Sequence, residues 1–178
     1  LLINKTITNH LWNKLYKKET FDNIQFPTGK KYEDLYVMYL LFEKSSKIVY
    51  QDTTKYIYIN REQSILHNKN PNMIQDYINC INNRYMYLSN KYEELEKELN
   101  YNLLFSILNY HVMAIGGKLK EFYNSEVMEN EYKKLKNIKK DVKKSKMYKK
   151  LCIKYRIFLY ILLFNKNFTY KLFEKMYW

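Results

Sequence analysis

The longest regular pattern in the chain begins after Pro71. Ile74, Ile78, Ile81, Tyr85, Leu88, Tyr92, Leu95 and Leu99 follow alternating spacings of four and three, which places them on one face of a single long helix. Pro71 suits the first turn of that helix, where its missing N–H costs nothing. The same spacing would serve a coiled coil, but tyrosines at two of the seam positions make the seam irregular and favour packing within one chain. Residues 101–115 predict a second helix, closed by Gly116-Gly117. A basic helix follows with Leu135, Ile138 and Val142 on one side. The last segment, 151–178, is apolar and aromatic and carries Lys154, Arg156, Lys166 and Lys171.

The first third is mixed. Residues 7–21 predict a short helix with Leu11, Leu15 and Phe21 inward. Phe26-Pro27-Thr28-Gly29 reads as a turn. Glu33-Asp34 then opens a helical run, LYVMYLLFEK, with acidic residues at the end where the backbone dipole is positive. Residues 47–51 and 55–60 predict two short strands joined through Asp52-Thr53-Thr54, because Tyr56 and Tyr58 alternate with Ile57 and Ile59. The expected class is α+β, mostly α.

Composition narrows the chemistry. The chain has 178 residues, 47% of them hydrophobic, enough for an ordinary core and too many for a disordered chain. It opens on Leu1, so the expectation is a processed product or a piece of a longer chain, and no leader pattern is evident. The apolar run at 157–164 is far short of the roughly 20 residues that span a bilayer. Cys80 and Cys152 stand apart with no metal or redox spacing, which fits a reducing compartment, and the expected location is cytoplasmic. Of the net charge of +13, residues 118–156 supply +9, with 14 basic and 5 acidic side chains. Arg61, Arg84 and Arg156 are the only arginines. Lysine is a point charge and a poor reader of base edges, so this basicity suits phosphate or anionic lipid at the inner face of a membrane, and no nucleic acid is expected as partner. With Gly29, Gly116 and Gly117 the only glycines, neither a Walker loop nor a dinucleotide-binding fingerprint can be built, and HExxH and GxSxG are absent too. His10, His67 and His111 are isolated in sequence.

One ordered constellation remains. It runs Trp12-Asn13-Lys14-Leu15-Tyr16, Phe21, Phe26-Pro27-Thr28-Gly29, Glu33-Asp34, Tyr56-Ile57-Tyr58, then Arg61-Glu62-Gln63-Ser64-Ile65. In its order and spacing this set resembles the second half of family 2 glycosyltransferases of the GT-A fold, the bacterial surface-polysaccharide type, over roughly residues 1–67. The resemblance implies inverting transfer of a sugar from a nucleotide-sugar donor to the hydroxyl of a glycan or lipid-linked acceptor. It makes Asp34 the catalytic base and Glu33 the residue that orients it or binds acceptor hydroxyls. It places Trp12, Asn13 and Lys14 on the acceptor side, Arg61 and Ser64 at a diphosphate or acceptor group, and His67 near the leaving diphosphate.

The resemblance also implies a nucleotide-binding half and a DxD motif holding Mg²⁺ or Mn²⁺, and this chain contains neither. The expected organisation is therefore the acceptor-side part of a GT-A domain at 1–70 and a helical C-terminal extension at 71–178, inactive alone. The alternative is a non-enzymatic helical module that presents the stripe from Ile74 to Leu99 to a partner.

Overall fold

The computed structural model describes residues 7–51, 53, 56–59 and 69–176. The chain forms two compact units, residues 1–67 and 68–178.

Among the described residues of the first unit the one α-helix is α1, Glu33–Lys44. It begins where expected, after a Tyr32 held in the left-handed region at φ 60°. A side chain there costs on the order of 1 kcal/mol. Val37, Met38 and Leu41, spaced to share one face, are fully buried. The Tyr16 hydroxyl donates to Met38 Sδ at 3.7 Å, and burial pushes that phenol up to about 12. Phe21 meets Tyr16 edge to face with centroids 5.2 Å apart and stacks toward Phe26 with centroids 6.2 Å apart. The Lys44 ammonium donates to the Asp22 carbonyl and ties the end of α1 back to this loop. Gly29, at φ 72°, makes the turn that leads into the helix.

Two expectations fail here. Residues 7–21 form a loop with a single 3₁₀ turn at Lys18–Phe21, and Leu15 is fully exposed. Where the predicted strands fall on described residues, 47–51 and 56–59, they are not strands, and no strand exists among the described residues. Val49, Ile57 and Ile59 are 77%, 84% and 69% exposed. Alternation makes a strand only when a neighbour supplies the ladder and a core covers one face, and an isolated pair is at best marginal. The α+β, GT-A-half expectation is therefore corrected: the described fold is all-α.

The second unit is a helical bundle. Its helices are α2 (Pro71–Lys91), α3 (Glu96–Gly116), α4 (Lys120–Tyr123), α5 (Glu126–Lys144), α6 (Ile153–Phe164) and α7 (Lys166–Met176). Pro71 sits in the first turn of α2, and the Asn70 side chain caps it by accepting from the Met73 N–H at 3.0 Å. The predicted single long helix is in fact two. The chain breaks at Tyr92 (φ −136°, ψ 83°), makes a 3₁₀ turn at Glu93–Leu95 and reverses into α3. Glu96 and Glu98 lie in the first turn of α3, where acidic charge is favoured.

The reversal is antiparallel: Tyr77 meets Tyr110, Arg84 donates to Asn102 at 2.5 Å, and Tyr85 donates to Asn100 at 2.7 Å. Ile74, Ile78, Ile81, Leu88 and Leu99 are consequently buried inside the unit. That disposes of the stripe as an exposed partner surface.

Helix α3 is the hub, touched by α2, α4, α5, α6 and α7. More than half of its circumference is buried, through Leu103, Leu104, Ile107, Leu108, Tyr110, His111, Ala114 and Ile115, while Asn102, Phe105, Asn109 and Val112 are half-buried. Helix α5 turns Met128, Tyr132, Leu135 and Val142 into the bundle, with Ile138 half-buried. Tyr132 donates to the Leu162 carbonyl at 3.2 Å, and Tyr123 donates to the Lys166 carbonyl at 3.0 Å. The Lys166 ammonium, nearly buried, pairs with Glu129 at 3.0 Å.

Candidate functional site

The site candidates that fall on described residues gather at the start of α1. Asp34 is in the first helical turn, and its Oδ1 accepts the Leu35 N–H at 2.7 Å. That leaves Oδ2 facing the loop before the helix, where His10 Nδ1 stands 3.8 Å away. The Asp34 side chain is only 23% exposed. Burial raises its pKa above the ordinary carboxylate value; the Leu35 N–H opposes this, the Glu33 charge adds to it, and His10 opposes it again. The helix start was expected to favour the ionised form. Desolvation outweighs that effect, so Asp34 is a stronger base than an ordinary aspartate. Glu33, next to it, is exposed.

His10 is also the end of an aromatic shelf. Its ring stacks on Trp12 with centroids 4.9 Å apart. Trp12 in turn lies 4.3 Å from Tyr56 and 5.4 Å from Tyr58, the latter nearly parallel. Trp12, Tyr56 and Tyr58 are 41%, 48% and 56% exposed, so the rings contact one another and still present surface to solvent. A shelf of half-exposed aromatic faces beside a carboxylate can hold the apolar face of a sugar while a hydroxyl reaches the carboxylate.

Asn13 and Lys14 stabilise the loop that carries Trp12. Asn13 donates to the Thr8 hydroxyl at 3.2 Å. The Lys14 ammonium donates to the His10 carbonyl at 2.5 Å and to Asn13 Oδ1 at 2.7 Å. Partial burial lowers the Lys14 pKa, while the Asp34 charge favours its ammonium form. Arg61, Ser64 and His67 lie outside the described residues.

The sequence reading missed His10, Tyr56 and Tyr58 as site residues. The signal was present as a period of two. That period belongs to Tyr56 and Tyr58, which share one side of an extended segment, whereas His10 sits in a loop that bends at residue 11 and turns at 12–13 and carries no such signal.

These residues do not fit a divalent cation. Among the described residues no three His, Cys, Asp or Glu side chains come close enough to hold one. Beside Asp34 stand one further carboxylate, Glu33, an imidazole and an ammonium, and the last two do not suit a hard oxygen-seeking ion. The chemistry here is that of a carboxylate, an imidazole, a lysine and aromatic faces.

The chain is related to glycosyltransferases through a similarity that covers 49% of its length. The relative is the glycosyltransferase GlyA of Streptococcus pneumoniae serotype 4, 30% identical over 88 residues. The chain matches only 13% of that protein's length. No protein-family model matches the chain. No solved structure matches it.

Proposed function

We propose that the chain is the acceptor-side part of a family 2 glycosyltransferase, which moves one hexose-type sugar with inversion from a nucleotide sugar to an acceptor hydroxyl. The product is a surface polysaccharide or another glycan, built on a glycan or lipid-linked acceptor. The observation that carries this reading is the half-buried Asp34, whose Oδ2 lies 3.8 Å from the His10 ring that stacks on Trp12.

In this reading the acceptor sugar lies on Trp12, with Tyr56 and Tyr58 extending the shelf. Its hydroxyl oxygen attacks the anomeric carbon as its proton passes to Asp34, and the bond from that carbon to the diphosphate breaks. A carboxylate with a raised pKa takes the proton more readily than an ordinary one. Glu33 binds neighbouring acceptor hydroxyls, and Asn13 and Lys14 hold the loop. Arg61 and Ser64 meet the diphosphate or the acceptor. The donor, and a Mg²⁺ or Mn²⁺ on its diphosphate, are held by residues outside this chain, so the chain alone is inactive.

The test is Asp34→Asn in the complete enzyme, an isosteric change that keeps the Leu35 contact. Loss of a general base predicts a fall in kcat of about 10²–10⁴ with little change in donor KM. Transfer at an undiminished rate would remove Asp34 from the chemistry.

A further inference from the structure

Helix α6 is the most hydrophobic helix of the second unit, yet one of its faces is turned to solvent. Phe158, Leu159 and Leu162 point into the bundle. Ile153, Ile157, Tyr160 and Phe164 recur at spacings of four and three on the opposite side and are 66%, 50%, 53% and 86% exposed. This is an unbroken apolar stripe running the length of a helix about 18 Å long. Isolated exposed apolar residues are ordinary, but a contiguous row of them marks a contact surface.

The rim of this stripe is basic. Lys139 and Lys143 of α5 lie over the Tyr160 ring at 5.5 and 5.4 Å, and Lys143 Nζ is 3.5 Å from the Tyr160 hydroxyl. On α6 itself Lys154 and Arg156 flank the stripe on its two sides. Residues 142–173 contain nine lysines and arginines and no aspartate or glutamate. Net charge of one sign around an apolar row, with a tyrosine at the boundary between them, is the chemistry of a surface that meets anionic headgroups and the first acyl carbons together.

We propose that the exposed face of α6, with its rim from α5, is a peripheral docking surface for an anionic lipid bilayer. The complementary charge selects this occupant. A second copy of the chain would bring two strongly basic rims together. A nucleic acid would satisfy the lysines but leave isoleucine and phenylalanine against phosphates and water. The surface is built from the outer face of α6. The basic helix α5 contributes lysines alone, because its apolar side is already spent in the bundle. The proposal is independent of the reading of Asp34.

The experiment is sedimentation of the full chain with phosphatidylcholine vesicles, with and without phosphatidylglycerol. The expected result is binding that appears only with the anionic lipid and falls as salt rises. The double variant Ile157→Ser/Phe164→Ser alters exposed positions, so the fold is retained, as circular dichroism checks, and it should weaken partitioning at least about tenfold. Lys139→Gln/Lys143→Gln should weaken it by a similar factor, about fivefold per lysine.

No binding to anionic vesicles at low salt would overturn the proposal, as would binding that the Ile157→Ser/Phe164→Ser variant leaves unchanged. A concentration-dependent dimer abolished by that variant, in a chain that ignores vesicles, would assign the stripe to a second copy. Retention of a random oligonucleotide without vesicle binding would assign the rim to nucleic acid.

Discussion

His10 Nδ1 lies 3.8 Å from Asp34 Oδ2 while the same imidazole stacks on Trp12. One ring thus joins the carboxylate to the aromatic shelf. When protonated it stabilises the ionised carboxylate, and in either state its face extends the stack. The two roles can be separated by substitution.

His10→Phe keeps a flat ring against Trp12 and removes the positive charge. Since His10 holds the Asp34 pKa down, its loss should move the carboxylate midpoint upward. Carbon-detected NMR titration of the Asp34 carboxyl measures this directly. An unchanged midpoint would mean that the two groups are not coupled.

Asp34 itself should be a cost to stability at neutral pH. Its folded-state pKa is raised, so the folded chain binds this proton more tightly than the unfolded chain does. The first unit therefore loses stability as pH rises from below the unfolded value through the folded one. Asp34→Asn, which retains an oxygen for the Leu35 N–H, should unfold at neutral pH no earlier than the parent chain and should flatten the pH dependence in the acid range. A thermal melt series across pH reads both effects.

His111 carries the opposite dependence in the second unit. It is completely buried, with Tyr123 and Tyr132 edge-on to its ring, and neither ring nitrogen has a hydrogen-bond partner among the described residues. Burial, reinforced by the nearby Lys166 charge, lowers its pKa from 6.5 to about 3. The unfolded chain takes up a proton near pH 6.5 and the folded chain does not, so stability present above that pH is lost as pH falls toward 3. The slope is at most about 1.4 kcal/mol per pH unit. His111→Phe fills the same cage without unpaired nitrogens. It should remove that slope and hold or raise neutral-pH stability, by about 1 kcal/mol where the orphaned nitrogens are costly. Urea unfolding at several pH values is the check.

Asn70→Ala removes the side chain that caps α2 and should destabilise the second unit by about 1 kcal/mol. Asn70→Asp should restore most of that, because a carboxylate accepts the same bond and meets the favourable end of the helix dipole. The difference in urea midpoint between the two variants measures the cap.

The legible parts of the fold were those with local punctuation. Pro71 marks the start of α2, Glu33-Asp34 marks the start of α1, and Gly116-Gly117 marks the end of α3. The break at Tyr92 was hidden because neither glycine nor proline stands there and the apolar spacing continues across it. A helical period is equally well served by one long helix or by two that fold back with their stripes facing each other, and only the tertiary packing distinguishes them. The alternation of Tyr56 with Ile57 and Tyr58 with Ile59 was real but was read as a strand. Its tyrosines do share a side, and that side forms the shelf with Trp12. Trp12 and Asp34 were brought together only by what the resemblance to family 2 glycosyltransferases implies. His10 was not part of it, since a lone histidine has no pattern until the loop brings it between them.

The most direct test of the carbohydrate reading is a nitrogen–proton NMR titration of this chain with neutral oligosaccharides. It follows the indole N–H of Trp12 against that of Trp178, the second tryptophan of the sequence. Saturable movement of the Trp12 resonance together with the Asp34 carboxyl, abolished by Trp12→Ala, is the predicted result. Saccharides that leave both signals in place, or that bind as well to Trp12→Ala, would contradict it.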